Sequence, residues 1–343
     1  MGSTSMVKIL SVIFFKVFVI CSLFGLVYVV YALNNKLEIY NMHNSKVDEN
    51  ILINYNESIN KFVPSKSDNN IQNFISCYEQ PIKNLPSEIN DKISELNNLF
   101  DDKDYTLSFS YEDLYTGFHV SYNEDELYFS ASAIKAPVVL YLFKLVDEGL
   151  ISLDKSYVYL SNYYAGGSGS IQYEPIGSIY SLRELSKRAI VESDNIAYQM
   201  IAYNLDRNDI KNYWYNSGAD NFWTDSIWGK ISSKDGAIYM KELYKYYLTN
   251  TDNSNELMEY FYNSVMPLIK STKNNVVHKS GWNGSTMHDT ALIFDEYPYV
   301  LSIMTNKGEA DYETFFTTAS NLIEQLHDIY WKKKSEYCYN QAF

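Results

Sequence analysis

Cysteine is scarce in this 343-residue chain. Cys21, Cys77 and Cys338 are its three thiols, and no Cys-x-x-Cys occurs. Zinc ribbons and thioredoxin-type redox chemistry therefore have no support. His-Glu-x-x-His is absent as well, and no metal or cofactor is expected. Positive charge is also short: 28 Lys and Arg against 42 Asp and Glu leave a formal net charge of −14. Such a chain is a poor partner for nucleic acid or for an anionic membrane surface. There is no Gly-x-Ser-x-Gly. The segment Gly166-Gly167-Ser168-Gly169-Ser170 lacks the Lys-Ser/Thr that completes a phosphate loop, so it reads as a mobile rim loop.

Long apolar runs are confined to one place. Residues 17–33 carry no charge, and Lys8 and Lys16 precede them. Seventeen residues is near the lower limit for a spanning helix, and the basic flank favours an N-inside orientation. A cleaved signal peptide is the rival reading, because Val30-Tyr31-Ala32 loosely fits a small-residue cleavage pattern. The expected layout is a cytoplasmic start and anchor (1–33), an Asn-, Ser- and Lys-rich stalk (34–86), one extracytoplasmic domain (87–331) and a short tail (332–343). A single-pass monomer at the cell membrane follows from that layout. Cys77 and Cys338 are left either as a pair or as two free thiols.

Within the domain, a helix is predicted over Glu88–Phe100, then a hairpin whose strands, Tyr105–Tyr111 and Gly117–Tyr122, are joined by Asp113–Gly117 turn chemistry. A long helix from about Ser132 to Glu148 follows from apolar residues at helical spacing, stopped by Gly149. Ser181-Leu182-Arg183-Glu184 reads as a capping box opening another helix. Val276–Trp282, Thr290–Phe294 and Tyr299–Met304 read as strands, and a last helix runs from about Glu313 to Trp331. Two strands, a helical middle and three strands predict an α+β fold: one five-stranded antiparallel sheet flanked by helices, with a helical subdomain.

Three motifs carry chemistry. Ser132-Ala133-Ile134-Lys135 places a hydroxyl and an amine at i and i+3 of one helical face. A serine is a weak nucleophile until a neighbouring base takes its proton, and a lysine in a dry site is a candidate base. Alone the motif means little, since Ser5-x-x-Lys8 and Ser152-x-x-Lys155 match it too. The others are Ser193-Asp194-Asn195, after the capped helix, and Lys279-Ser280-Gly281, in a predicted strand. A hydroxyl can relay a proton to a leaving nitrogen, an amide can hold a carbonyl, and an ammonium with a hydroxyl can hold a carboxylate.

In this order the trio resembles the signature of class A β-lactamases and penicillin-binding proteins, a likeness extending over residues 87–331. The resemblance implies Ser132 as acylated nucleophile, Lys135 as its base and Ser193 as proton relay. It further implies Asn195 as a substrate-amide contact and Lys279 with Ser280 as the carboxylate grip. The backbone N–H groups of Ser132 and Trp282 would form the oxyanion hole. The implied ligands are β-lactams or D-Ala-type stem peptides of peptidoglycan.

Two features depart from the resembled pattern. No glutamate occurs between Ile196 and Lys241, where class A β-lactamases carry the base that activates the deacylating water, and the 218–232 loop is short. Asp225 is the nearest carboxylate to stand in for it. No arginine follows Arg207, so none lies near Lys279 in sequence. Acylation with weak β-lactam turnover is the expectation. A non-catalytic ligand-binding ectodomain on the same fold is the alternative. His278 and His288, flanking the third motif, read as structural or substrate-side residues.

Overall fold

The computed structural model describes residues 76–342 except 225, 309 and 310. The predicted anchor, the stalk up to residue 75 and Asp225 lie outside the described residues. Among the described residues no helix is long and apolar enough to cross a membrane.

Helix α1 spans Ser87–Phe100, followed by β1 (Leu107–Asp113) and β2 (His119–Tyr122). A two-residue β3 (Tyr128–Phe129) leads into a 3-10 turn (Ala131–Ile134) and α2 (Lys135–Asp147). The helical subdomain follows: β4 (Ser156–Val158), β5 (Ile179–Ser181), α3 (Leu182–Val191), α4 (Asn195–Ala202) and α5 (Arg207–Asn216). Then come β6 (Lys230–Ile231), α6 (Ser233–Tyr247), α7 (Asp252–Tyr262), β7 (Asn275–Trp282), β8 (Met287–Phe294), β9 (Tyr299–Thr305) and α8 (Tyr312–Ala342).

The main sheet has five strands in the order β2-β1-β9-β8-β7, antiparallel throughout. This is the predicted α+β architecture. Strand alternation sorts its faces. Leu107, Phe109 and Tyr111 of β1 enter a core built with α1 and α8, where Ile89, Leu96, Phe316 and Leu326 are buried. A second core centres on α2, whose Val138, Val139, Leu142 and Phe143 pack with residues of α3 and α4.

Capping explains the helix starts. Ser181 Oγ accepts from Glu184 N at the head of α3, but the Glu184 carboxylate turns to Arg188, 2.7 Å away, so half of the predicted box forms. The full reciprocal box belongs to Ser232 and Asp235, opening α6. Asp113 closes the β1–β2 turn by accepting from the N–H and hydroxyl of Thr116.

Strand limits shift by two or three residues, β1 running Leu107–Asp113 and β8 starting at Met287, and two helix boundaries differ as well. The helix predicted from Ser132 begins as a 3-10 turn, with the α-helix starting at Lys135. The last helix continues past Trp331 to Ala342 because its final turns have something to cover. Cys338 is buried in a disulfide with Cys77. Lys334 is buried too, and its Nζ donates to the carbonyls of Cys77 and Gln80. Residues 77–82 thereby join the fold: Tyr78 and Ile82 are core residues.

Candidate active site

The turn that carries Ser132 is held from two sides. Ser130 N donates to Gly229 O at 3.2 Å, and Ser130 Oγ donates to Trp228 O. On the other side lies β7. A Cβ placed on Gly281 would sit 2.8 Å from Ala133 N, 2.9 Å from Ser130 O and 3.0 Å from Ser132 N. Only a residue without a side chain lets the strand pass so close. Ser132, half-buried, thus faces the end of β7, where Trp282 is 46% exposed. Ala131, just before it, holds a left-handed backbone at φ 45°.

Ser193 joins the first and third motifs. It too is left-handed, at φ 56°, a conformation costing a non-glycine residue about 1–3 kcal/mol. Its Oγ lies 3.2 Å from Lys135 Nζ and 3.1 Å from Lys279 Nζ, a hydroxyl bridging two fully buried lysines. Lys135 Nζ also donates to Ser193 O and, at 2.7 Å, to Asn195 Oδ1. None of its three hydrogen bonds goes to Ser132.

That arrangement fixes how charge is shared. Burial is the main cause that pushes Lys135 well below the ordinary lysine range, and the neighbouring Lys279 adds to it against the opposing effect of Asp194. Burial lowers Lys279 to about 8, with Asp289 opposing. Two ammonium groups cannot share one hydroxyl cheaply in so dry a place. Of the two, Lys135 is pushed further toward the neutral amine. As a neutral amine it keeps all three partners: two N–H bonds to Ser193 O and Asn195 Oδ1, and a lone pair for the Ser193 hydroxyl. Lys279 Nζ also donates to Ser280 O at 3.1 Å, leaving a third N–H for a ligand. Ser280 Oγ donates to Val265 O at 3.2 Å.

The Ser193-Asp194-Asn195 turn is built by the glycine loop. Asp194 caps α4 through Ile196 N and Ala197 N, and its second oxygen accepts from Ile171 N at 2.8 Å. Asn195 N donates to Ser168 O, and its side-chain amide donates to Gly166 O at 2.8 Å. Gly169, at φ 92°, lies so close to Asp194 that any Cβ would collide with its carboxylate and backbone. Ser170 Oγ ties the loop to Glu192, 2.5 Å away. The segment read as a mobile rim loop is thus packed against the second motif, with Gly169 at the point of closest approach.

The flanking histidines are structural. His288 Nε2 donates to Phe129 O at 2.9 Å while Nδ1 accepts from Thr305 N, and burial lowers its pKa to about 4. His278 lies between Asp289, 3.0 Å away, and Ser264 O. Asp289 in turn accepts from Leu268 N and Ile269 N, so the pair fastens the 264–269 segment to β7 and β8.

Sequence reasoning missed Trp228. Its ring centroid lies 5.5 Å from Lys135 Nζ, over the lysine that the motifs identify. No local pattern marks it. Among the described residues of that region, Asp206 and Asp235 cap helices and Asp220 faces Lys234. Among the described residues no cluster of three or more His, Cys, Asp or Glu could hold a metal.

Comparison with known proteins bears on family and fold. A family model described as the β-lactamase enzyme family matches residues 91–332. Among solved structures, a point mutant of PBP-A, an acyl-enzyme complex with penicillin G, is similar at 21% identity with a TM-score of 0.65. The match covers 71% of this chain and 99% of that one. A second PBP-A structure matches at 20% identity and TM-score 0.64, over 73% of this chain and 99% of that one. A β-lactamase from Sphaerobacter thermophilus DSM 20745 matches at 15% identity and TM-score 0.62, over 70% and 97%. At these identities the structures speak for the fold. No curated protein matches the chain. With the model spanning the sheet, the nucleophile turn and all three motifs, the chain belongs to the β-lactamase enzyme family.

Proposed function

We propose that the protein is an acylating serine enzyme of the penicillin-recognising type, which forms an ester at Ser132 and releases it slowly. The observation that carries this is the Ser193 hydroxyl bridged between Lys135 and Lys279. A buried, charge-depleted Lys135 beside a cationic Lys279 is what the chemistry requires: a base for the nucleophile and a charge for an acidic ligand.

In this reading Ser132 Oγ attacks the carbonyl carbon of a β-lactam or D-Ala-type peptide as its proton passes to Lys135. The negative oxygen is met by the N–H groups of Ser132 and Trp282. Ser193 hands a proton to the leaving nitrogen and is resupplied by Lys135. Asn195 holds the substrate amide with the second hydrogen of its side-chain nitrogen, the first being given to Gly166 O. Lys279 and Ser280 grip the carboxylate. The penicillin acyl-enzyme seen for the related PBP-A mutant supports a β-lactam as ligand. The Cys77–Cys338 disulfide supports an oxidising compartment, in keeping with an extracytoplasmic domain tethered by residues 17–33.

The test is intact-protein mass over time with benzylpenicillin, for the natural chain and for Ser132→Ala. A stable adduct that disappears in the variant is the expected result. Labelling that survives the substitution would move the nucleophile elsewhere. Intact penicillin without any adduct would leave a ligand-binding ectodomain as the better reading.

A further inference from the structure

Trp228 is half-buried at the edge of the α2 core, and it is held there firmly. Its carbonyl accepts from Ser130 Oγ, and the next carbonyl, of Gly229, accepts from Ser130 N. Its own N–H and that of Gly229 both donate to Ser226 Oγ, at 3.2 and 3.0 Å. The indole packs on Tyr198 with centroids 4.6 Å apart, and the Tyr198 hydroxyl donates to Ile227 O. Backbone and ring are thus fixed on opposite sides. What remains is one half-buried indole over the amine end of Lys135.

The consequence lies in the surroundings of Lys135 Nζ. Three of its directions end on Ser193 O, Ser193 Oγ and Asn195 Oδ1. The Trp228 ring covers it from a further side. A water molecule able to use this amine as a base must hydrogen-bond to it. The polar positions are filled, and the indole offers water no acceptor.

Resting on the acyl-enzyme reading above, we propose that Trp228 is a positioning residue that bars water from Lys135 and thereby sets the lifetime of the Ser132 ester. The step it suppresses is ordinary ester hydrolysis. Water oxygen bonds to the acyl carbon while its proton passes to neutral Lys135. The bond from that carbon to Ser132 Oγ then breaks, and Oγ recovers the proton. No further reactant is needed, so access for water is what separates a persistent adduct from turnover.

The experiment uses the full chain and isolated acyl-enzyme, so that acylation rate does not enter. Protein labelled with benzylpenicillin is freed of excess reagent, and loss of adduct mass is followed from pH 6 to 10 for the natural protein, Trp228→Phe and Trp228→Ala. Trp228→Ala is expected to shorten the lifetime by at least about tenfold, with a rate that falls wherever lowering the pH protonates Lys135 and is level above that. Trp228→Phe, which keeps a ring, is expected to stay near the natural lifetime. Should Trp228→Ala fail to fold, Trp228→Gln is read in the same way. An unchanged lifetime overturns the proposal, as does a gain that ignores pH, since mere loosening would give that. Absence of any adduct in the natural protein strikes instead at the acyl-enzyme reading itself.

Discussion

Gly281→Ala is a one-methyl test of how the active site is assembled. The added Cβ would meet Ala133 N at 2.8 Å, Ser130 O at 2.9 Å and Ser132 N at 3.0 Å. All three are backbone atoms of the nucleophile turn, so no side chain can swing aside. Ordinary contacts begin at 3.4 Å, which means β7 and the turn must part by about 0.6 Å. Overpacking of this kind costs about 1–3 kcal/mol. The turn is anchored on its far side by Gly229 O and Trp228 O, so the end of β7 gives way, carrying Trp282 N with it. Loss of one oxyanion donor costs about 10²- to 10³-fold in rate, and a partial displacement should cost about 10- to 100-fold. Stopped-flow acylation by a fluorescent penicillin, alongside urea unfolding, measures both quantities. Acylation within twofold of the natural protein, in a variant that folds normally, would show that the contact between β7 and the nucleophile turn does not position the reacting groups.

Lys279 loses its proton near pH 8, so kcat/KM for a carboxylate-bearing β-lactam should fall as pH rises through that value. Acylation by a methyl ester of the same compound should lack this limb; an identical fall for both would remove Lys279 from carboxylate binding. His288 titrates near 4 when folded and near 6.5 when unfolded. Between those values the unfolded chain takes up a proton that the folded protein refuses. This contribution to stability is full above about pH 6.5 and is lost as pH falls towards 4, in all about 3 kcal/mol. Urea titrations at pH 7 and 4.5 should show a smaller drop for His288→Asn than for the natural protein, and equal drops would refute the assignment.

Much of the fold is written in local patterns. Strand alternation at 107–111 and the apolar run of β7 to β9 stand out because the sheet has faces to fill. The helix of Val138, Val139 and Leu142 is equally plain. Sequence alone misplaced the entry to α2, because the 3-10 turn at Ala131–Ile134 is imposed by the strand packed against it at Gly281. It also ended α8 too early, since what holds the last turns is a disulfide partner 261 residues away. The site divides in the same manner. Ser132, Lys135, Ser193, Asn195, Lys279 and Ser280 announce themselves by motif. The glycine loop under Asp194 and the indole over Lys135 act across the fold, and spacing along the chain does not reveal such contacts.

The clamp of Cys77, Lys334 and Cys338 bears on how the domain would carry a mechanical load. Tension on the chain ahead of residue 76 would reach a covalent bond into α8 before it could strip Tyr78 and Ile82 from the core. Lys334, holding the carbonyls of Cys77 and Gln80, would share that load. Force would then enter α8, whose Ser320 and Glu324 also hold the backbone and side chains of residues 270–272 ahead of β7. A pull from that side would thus be met by a covalent link and not by side-chain packing alone.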